Sequence, residues 1–213
     1  MPAKRRRFDA RGAILRVARD EFAARGFAAT RVESLARHAR VNKALLYYYF
    51  GSKLGLYRQV VRDGIQRFTS RMRAVAEAPV PAEEKLSRWV AALADHMTEE
   101  PTMPLTMLRE VADGGSHLDP ETLRALTTFV PLVRGLIAQG QREGVFGEAD
   151  PIALHFVLMG STILFTANAP IRRRIRQLGL AQPSLELAPF VHHLQQVALR
   201  SLRKDPHHAH SID

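Results

Sequence analysis

The chain has 213 residues, 46% of them hydrophobic, and no cysteine. That is enough for a real core, in one large domain or in a small domain joined to a larger one. The missing thiols exclude disulfides, thiolate metal sites and cysteine nucleophiles. The net charge of +10 is unevenly placed: residues 1–53 hold 13 Lys or Arg against 4 Asp or Glu, a net +9, while the other 160 residues hold 18 against 17. A basic quarter on a near-neutral body points to a polyanion partner, either nucleic acid or an anionic membrane surface. Excess charge that serves only solubility is the plainer alternative.

The first residues, MPAKRRRFDA, are basic but lead into no apolar segment, so they do not read as a secretory signal, and a cytoplasmic protein is expected. Residues 1–9 read as a flexible arm, with Lys4, Arg5, Arg6 and Arg7 placed to touch phosphate or a minor groove. No segment shows sustained period-two alternation, and the pattern is helical throughout. A first helix is expected over 10–25, with Ile14, Val17, Ala18 and Phe22 on one face and Gly26 as its C-terminal cap. A second starts at TRVE, where Thr30 and Glu33 have the spacing of a capping box. It ends near Ala39-Arg40-Val41. A third, 43–49, opens on Asn42 as N-cap and closes at Gly51-Ser52, with Ser52 capping the next.

Two short helices joined by a tight turn are the helix-turn-helix unit, whose second helix enters the DNA major groove N-terminus first. On a helical wheel Lys43, Ala44, Tyr47 and Tyr48 share an arc that is free to face a partner. Leu46 and Phe50 lie on another side and can hold the helix to its neighbours. A phenol can pack on the scaffold while its hydroxyl reaches a phosphate oxygen, and Lys53 adds a cation nearby. Lys43 and Ala44 sit where base edges are read: a lysine donates to guanine, and an alanine methyl meets the thymine methyl. The plain alternative, a tyrosine-rich core seam with solvated lysines, leaves the turn and the local charge unexplained.

Beyond Lys53 the helices lengthen: 53–78, 82–99, 104–113, 120–143, 151–168 and 185–203, with a short basic helix near 171–178. Asp119-Pro120 and Asp150-Pro151 are strong starts, each an N-cap aspartate before a proline at the first helical position. The stretch from Pro151 to Ile171 has no Asp, Glu, Lys or Arg and matches a membrane span in length. Its His155, Asn168, glycine and hydroxyl residues favour a buried helix of a soluble protein. The tail from Lys204, KDPHHAHSID, reads as solvated, with 205–213 disordered and adventitious metal binding by His207, His208 and His210 at most.

The run RVESLARHARVNKALLYYYFGSKLGLYRQV, Arg31 to Val60, resembles the TetR family of transcriptional regulators, as does the preceding ILRVARDEFAARGFAATRVESLA. The resemblance covers roughly residues 11–60. QGQREGVF at 139–146 followed by Asp150-Pro151 is similar to many members as well. It implies an all-α fold of about nine helices: an N-terminal three-helix DNA-binding domain (10–53) and a larger helical domain (54–204) that binds a small ligand and supplies the interface of a homodimer. By motif position Thr30 and Arg31 would meet phosphates, Lys43 and Ala44 bases, and Tyr47, Tyr48, Tyr49 and Lys53 the DNA backbone. Two positions depart from the pattern. Arg40 stands where glycine is usual; a positive φ there costs on the order of 1 kcal/mol, and Arg40 becomes a further candidate phosphate contact. Tyr49 stands where histidine is common, which keeps a hydrogen-bonding tip and loses pH sensitivity.

In the body, Phe68, Met72, Trp89, Met97, Met107, Phe129, Phe156 and Met159 suit an adaptable apolar pocket, though each one singly also suits ordinary core. His96, His155 and Asn168 are the polar groups that could orient a ligand there. The dimer is expected through the helices near 151–168 and 185–203. The combined expectation is a sequence-specific repressor released from a palindromic operator by a small, largely apolar ligand. A non-specific architectural DNA-binding protein is the alternative. No cofactor is expected, and no enzyme: the chain has no phosphate-binding glycine loop, nucleophile elbow or HExxH motif, and Glu83-Glu84 and Glu99-Glu100 are adjacent pairs that cannot share a helix face.

Overall fold

A computed structural model describes residues 9–180 and 186–204. The expected basic arm and the histidine-bearing tail lie outside the described residues. Among these the chain forms eleven α-helices: α1 Ala10–Ala29, α2 Val32–His38, α3 Lys43–Phe50, α4 Lys53–Ala76, α5 Ala82–Glu99, α6 Thr102–Ala112, α7 Pro120–Leu126, α8 Val130–Arg142, α9 Pro151–Ala167, α10 Ala169–Gln177 and α11 Leu187–Leu202. The all-α expectation holds, with more helices than the nine expected.

The extra helices have local causes. The run expected as one helix over 120–143 is broken by a 3-10 turn, Thr127–Phe129. Pro131 sits in the first turn of α8, where its missing N–H is harmless, but its ring conflicts with an α-helical carbonyl at Thr127. The apolar stretch from Pro151 breaks at Asn168, and α9 and α10 are bent by 46° there; among the described residues no single helix is long and apolar enough to cross a membrane. The caps on Asn42, Ser52, Asp119 and Asp150 all form: their side-chain oxygens accept from the N–H groups of Leu45, Gly55, Thr122 and Ile152.

The chain divides into two compact units. Of the described residues, the first holds 9–65 and 102–125. Its core gathers Ile14, Ala18 and Phe22 of α1, Leu35 of α2, Leu46 of α3, and Leu56, Tyr57 and Val61 of α4, all fully buried or nearly so. α6 packs along α1, and its Arg109 donates to the carbonyls of Ala23 and Ala24. Gly26, at φ 76° and ψ 173°, interrupts the helix just beyond them.

The second unit holds, of the described residues, 66–101, 126–180 and 186–204. α5 is its central helix, with α8, α9 and α11 around it. Met72, Leu86, Trp89, Leu93, Leu136, Ile137, Phe146, Leu158 and Leu194 belong to one apolar cluster. The QGQREGVF segment closes this core. Phe146 lies so near Gly140 of α8 that a Cβ there would come within 1.9 Å of the ring. Gly147 N–H donates to the Leu202 carbonyl at 2.8 Å, which ties the segment to the end of α11.

Candidate nucleic-acid interface

α2, the turn and α3 are built for presentation. Leu35, Ala36 and Ala39 turn inward and Leu46 is fully buried, so α3 is held by one side. The other side is exposed: Lys43, Ala44, Tyr47, Tyr48 and Tyr49 all face solvent, Tyr48 with 80% of its surface. An unsupported phenol on a short helix is unusual, because burying that ring would remove a large apolar area from water. The Tyr48 and Tyr49 rings meet edge to face at 5.2 Å, which limits their motion without covering them.

The turn between the helices follows the helix C-cap pattern. Val41 N–H donates to the Ala36 carbonyl at 3.0 Å and Arg40 N–H to the Arg37 carbonyl at 3.2 Å, with Arg40 at φ 57°. Arg40 is the one non-glycine residue with positive φ among the described residues. It keeps the backbone that glycine would adopt more easily.

Lys43 is engaged in the free protein. Its Nζ forms an ion pair with Glu33 of α2 and lies 5.9 Å from the Tyr47 ring centre. The hydrogen bond to Glu33 raises the lysine pKa, and the same bond lowers that of the glutamate. Both side chains are exposed, so the pair can open when a stronger anion arrives. Arg31, at the N-terminus of α2, is exposed.

Two expected contributors are placed differently. Thr30 is buried, and its hydroxyl donates to the Gly26 carbonyl at 2.7 Å; no side chain caps α2, so the capping box with Glu33 does not form. The break at Gly26 leaves a carbonyl in reach of the threonine, and this bond replaces the cap. Lys53 does not extend toward solvent. Its Nζ donates to the carbonyls of Phe27 and Thr30 at 2.7 and 2.9 Å and lies 4.3 Å from the Phe27 ring centre. It neutralises the carbonyl end of α1 and fixes the start of α4 against it.

The apolar candidates divide. Met72 and Trp89 are buried in the second unit's cluster, with Phe68, Phe129 and Met159 packed against it. Met97 is buried on α5. Met107 belongs to the first unit, and Phe156 points outward with 67% of its surface exposed. The expectation that α9 is buried holds for one face only: Leu154, His155, Leu158 and Thr162 are buried, while Ile152, Phe156, Val157 and Leu164 are exposed.

The polar candidates keep open valences. Buried His96 Nε2 and buried His155 Nδ1 have no hydrogen-bond partner, nor has Asn168 Oδ1. His96 lies 5.4 Å from the Phe68 ring, and His155 stacks on Phe129. Burial lowers both imidazole pKa values, that of His155 to about 4, so both are neutral near pH 7. Buried polar atoms without partners are rare, and two of these lie beside aromatic rings.

The sequence reading missed the network of Tyr57, Glu110 and His117. The Tyr57 hydroxyl donates to Glu110 Oε1 at 2.7 Å, and His117 Nδ1 lies 2.7 Å from the same oxygen. Glu110 falls on the face of α6 that the first unit buries, and only the packing of α6 reveals that.

Comparison with known proteins agrees with this geometry. The family described as bacterial regulatory proteins, tetR family, matches residues 14–60, and the tetracyclin repressor-like C-terminal domain matches residues 82–195. The HTH-type transcriptional repressor NicS of Pseudomonas putida is 27% identical over 194 residues, covering 90% of this chain and 91% of its own. The regulator RutR of Escherichia coli is 30% identical over 160 residues, 74% of each chain. A tetR-family regulatory protein from Rhodococcus shares the fold with a TM-score of 0.75 at 17% identity, over 93% of this chain and 100% of that one. The exposed, aromatic second helix of a helix-turn-helix thus stands in a chain whose two halves both match one family: this protein belongs to the TetR family of DNA-binding transcriptional regulators, and its business is regulation, not catalysis.

Proposed function

We propose that the protein is a homodimeric repressor that binds a palindromic operator and leaves it when a small, largely apolar ligand binds the helical body. The observation that carries the DNA-binding half is the solvent-facing set Lys43, Ala44, Tyr47, Tyr48 and Tyr49 on a helix anchored by Leu46. In this reading Lys43 and Ala44 meet base edges, and the tyrosines and Arg31 meet phosphates. Thr30 and Lys53 contribute by shaping the ends of α1, α2 and α4. Repression is favoured by the relatives named as repressors, NicS among them. A cytoplasmic location fits a protein that works on DNA.

The dimer is proposed through α9 and α11. Ile152, Phe156, Gly160 and Leu164 are exposed at four-residue spacing and form one apolar ridge with a small residue in it, and Val197 of α11 is exposed too. A two-fold contact along that ridge would pair two recognition helices, the number that a palindromic operator calls for. For the ligand, the apolar cluster around Met72 and Trp89 and the partnerless His96 and His155 nitrogens fit a compact molecule with one or two polar groups. Ligand and DNA then weaken each other reciprocally, because each favours a different conformation of the same dimer.

Selection of binding sites from random duplex DNA, followed by affinity against salt on the winning sequence, tests this reading. A pseudo-palindromic winner with a steep salt slope is the expected result. Equal binding to all sequences would overturn it in favour of an architectural coat.

A further inference from the structure

Among the described residues one group of metal-ligating side chains comes together: Glu110, Asp113 and His117, each offering a donor atom within 4.8 Å of the other two. We propose that this group is a binding site for a divalent transition-metal ion of the Mn2+ to Zn2+ class, built into the unit that carries the helix-turn-helix.

The backbone assembles it. α6 ends at Ala112, and Gly114 and Gly115 follow with φ of 65° and 72°. Two consecutive left-handed residues reverse the chain, and Gly115 N–H donates to the Glu110 carbonyl at 2.7 Å. The reversal lays His117 back over the last turn of α6, where Glu110 lies three residues before Asp113, on the same side of a helix.

The donors are unequally placed, and that inequality is the argument. Glu110 is 1% exposed. Its Oε1 accepts from the Tyr57 hydroxyl and pairs with His117 Nδ1, but its Oε2 is buried with no hydrogen-bond partner. A buried carboxylate oxygen left unpaired is costly, and a cation is the partner that best compensates it. An internal Glu110–His117 ion pair would use one oxygen only and would have no need of Asp113. Asp113 is exposed and can turn its carboxylate inward at little cost.

The surroundings suit a metal. The Tyr57 hydroxyl orients the Glu110 carboxylate, the kind of outer partner that ligating carboxylates keep. Burial and Glu110 raise the Tyr57 pKa far above the ordinary phenol, so it remains a donor. The Phe27 ring lies 4.3 Å from that of His117 and shields one side from water. One imidazole and two carboxylates suit Mn2+, Co2+ or Zn2+, with remaining positions left to water. Mg2+ prefers oxygen ligands and keeps its own waters, so it is disfavoured.

The test uses the full-length protein with His207, His208 and His210 replaced by glutamine, so that tail imidazoles cannot bind. Chelator-stripped protein is dialysed against Zn2+, Mn2+ or Mg2+, and Co2+ reports coordination through its visible absorption. The expected result is one Zn2+ per chain, a cobalt spectrum of low coordination number, and a thermal midpoint raised by several degrees with Zn2+. Asp113→Asn, at an exposed position, should keep the fold and lose the cobalt spectrum and the zinc shift, with affinity falling at least about tenfold. His117→Gln should do the same. No bound metal in the tail-substituted protein, or binding and spectrum unchanged in Asp113→Asn, would overturn the proposal and leave Glu110, His117 and Tyr57 as an internal network alone.

Discussion

Arg40 shows how a single residue can be wrong for its backbone and still be kept. Its φ of 57° puts a side chain where glycine has no steric penalty. Arg40→Gly should raise stability to urea by about 0.5–1 kcal/mol, the steric relief being partly offset by the greater freedom of glycine in the unfolded chain. No gain would mean that the arginine makes a compensating contact. His155 poses a different question. Burial lowers its pKa to about 4 from the ordinary 6.5, so the unfolded chain takes up this proton at higher pH than the folded one. The neutral imidazole is therefore no burden above about pH 6.5, and stability is lost as the pH falls from there to about 4, on the order of 3 kcal/mol in all. Unfolding measured across that window should show His155→Phe with a shallower slope than the parent. Equal slopes would place the acid sensitivity elsewhere, His96 being the next candidate, since burial shifts it the same way.

At the scale of elements, α2 and α3 act as a pair through Lys43 and Glu33. The ion pair holds Lys43, the one cation of α3 and its proposed base contact, against its own scaffold. Glu33→Ala frees that lysine and removes a negative charge from the proposed DNA face, so operator affinity should rise a few-fold at low salt, less at high salt. Titration of labelled operator at two salt concentrations checks this; an unchanged affinity would remove Lys43 from the contact set. The elements also show what was legible beforehand. Caps were legible because they are local: Asn42, Asp119 and Asp150 each need only the next turn of backbone. The capping box at Thr30 was not, because Gly26, four residues earlier, offers the threonine a carbonyl. Lys53 was misplaced for the same kind of reason, since its partners, Phe27 and Thr30, lie more than twenty residues away.

At the scale of the whole molecule, the apolar ridge of α9 stands open among the described residues. Phe156→Glu puts a charge at its centre without touching the core, since Phe156 is already mostly exposed. Sedimentation should show the proposed dimer replaced by monomer with helix content unchanged, and operator binding should fall with it. A dimer that survives the change would move the interface off α9. Family membership and the all-α architecture were determined by the sequence alone, because helical periodicity, capping residues and the motif from Arg31 to Val60 are all local signals. The exposure of Phe156, the engagement of Lys53, the partnerless nitrogens of His96 and His155 and the convergence of Glu110, Asp113 and His117 were decided only by tertiary structure. Each depends on which face of one helix meets another, or on how a turn folds back. An amphipathic pattern specifies that a face is buried, not what it is buried against.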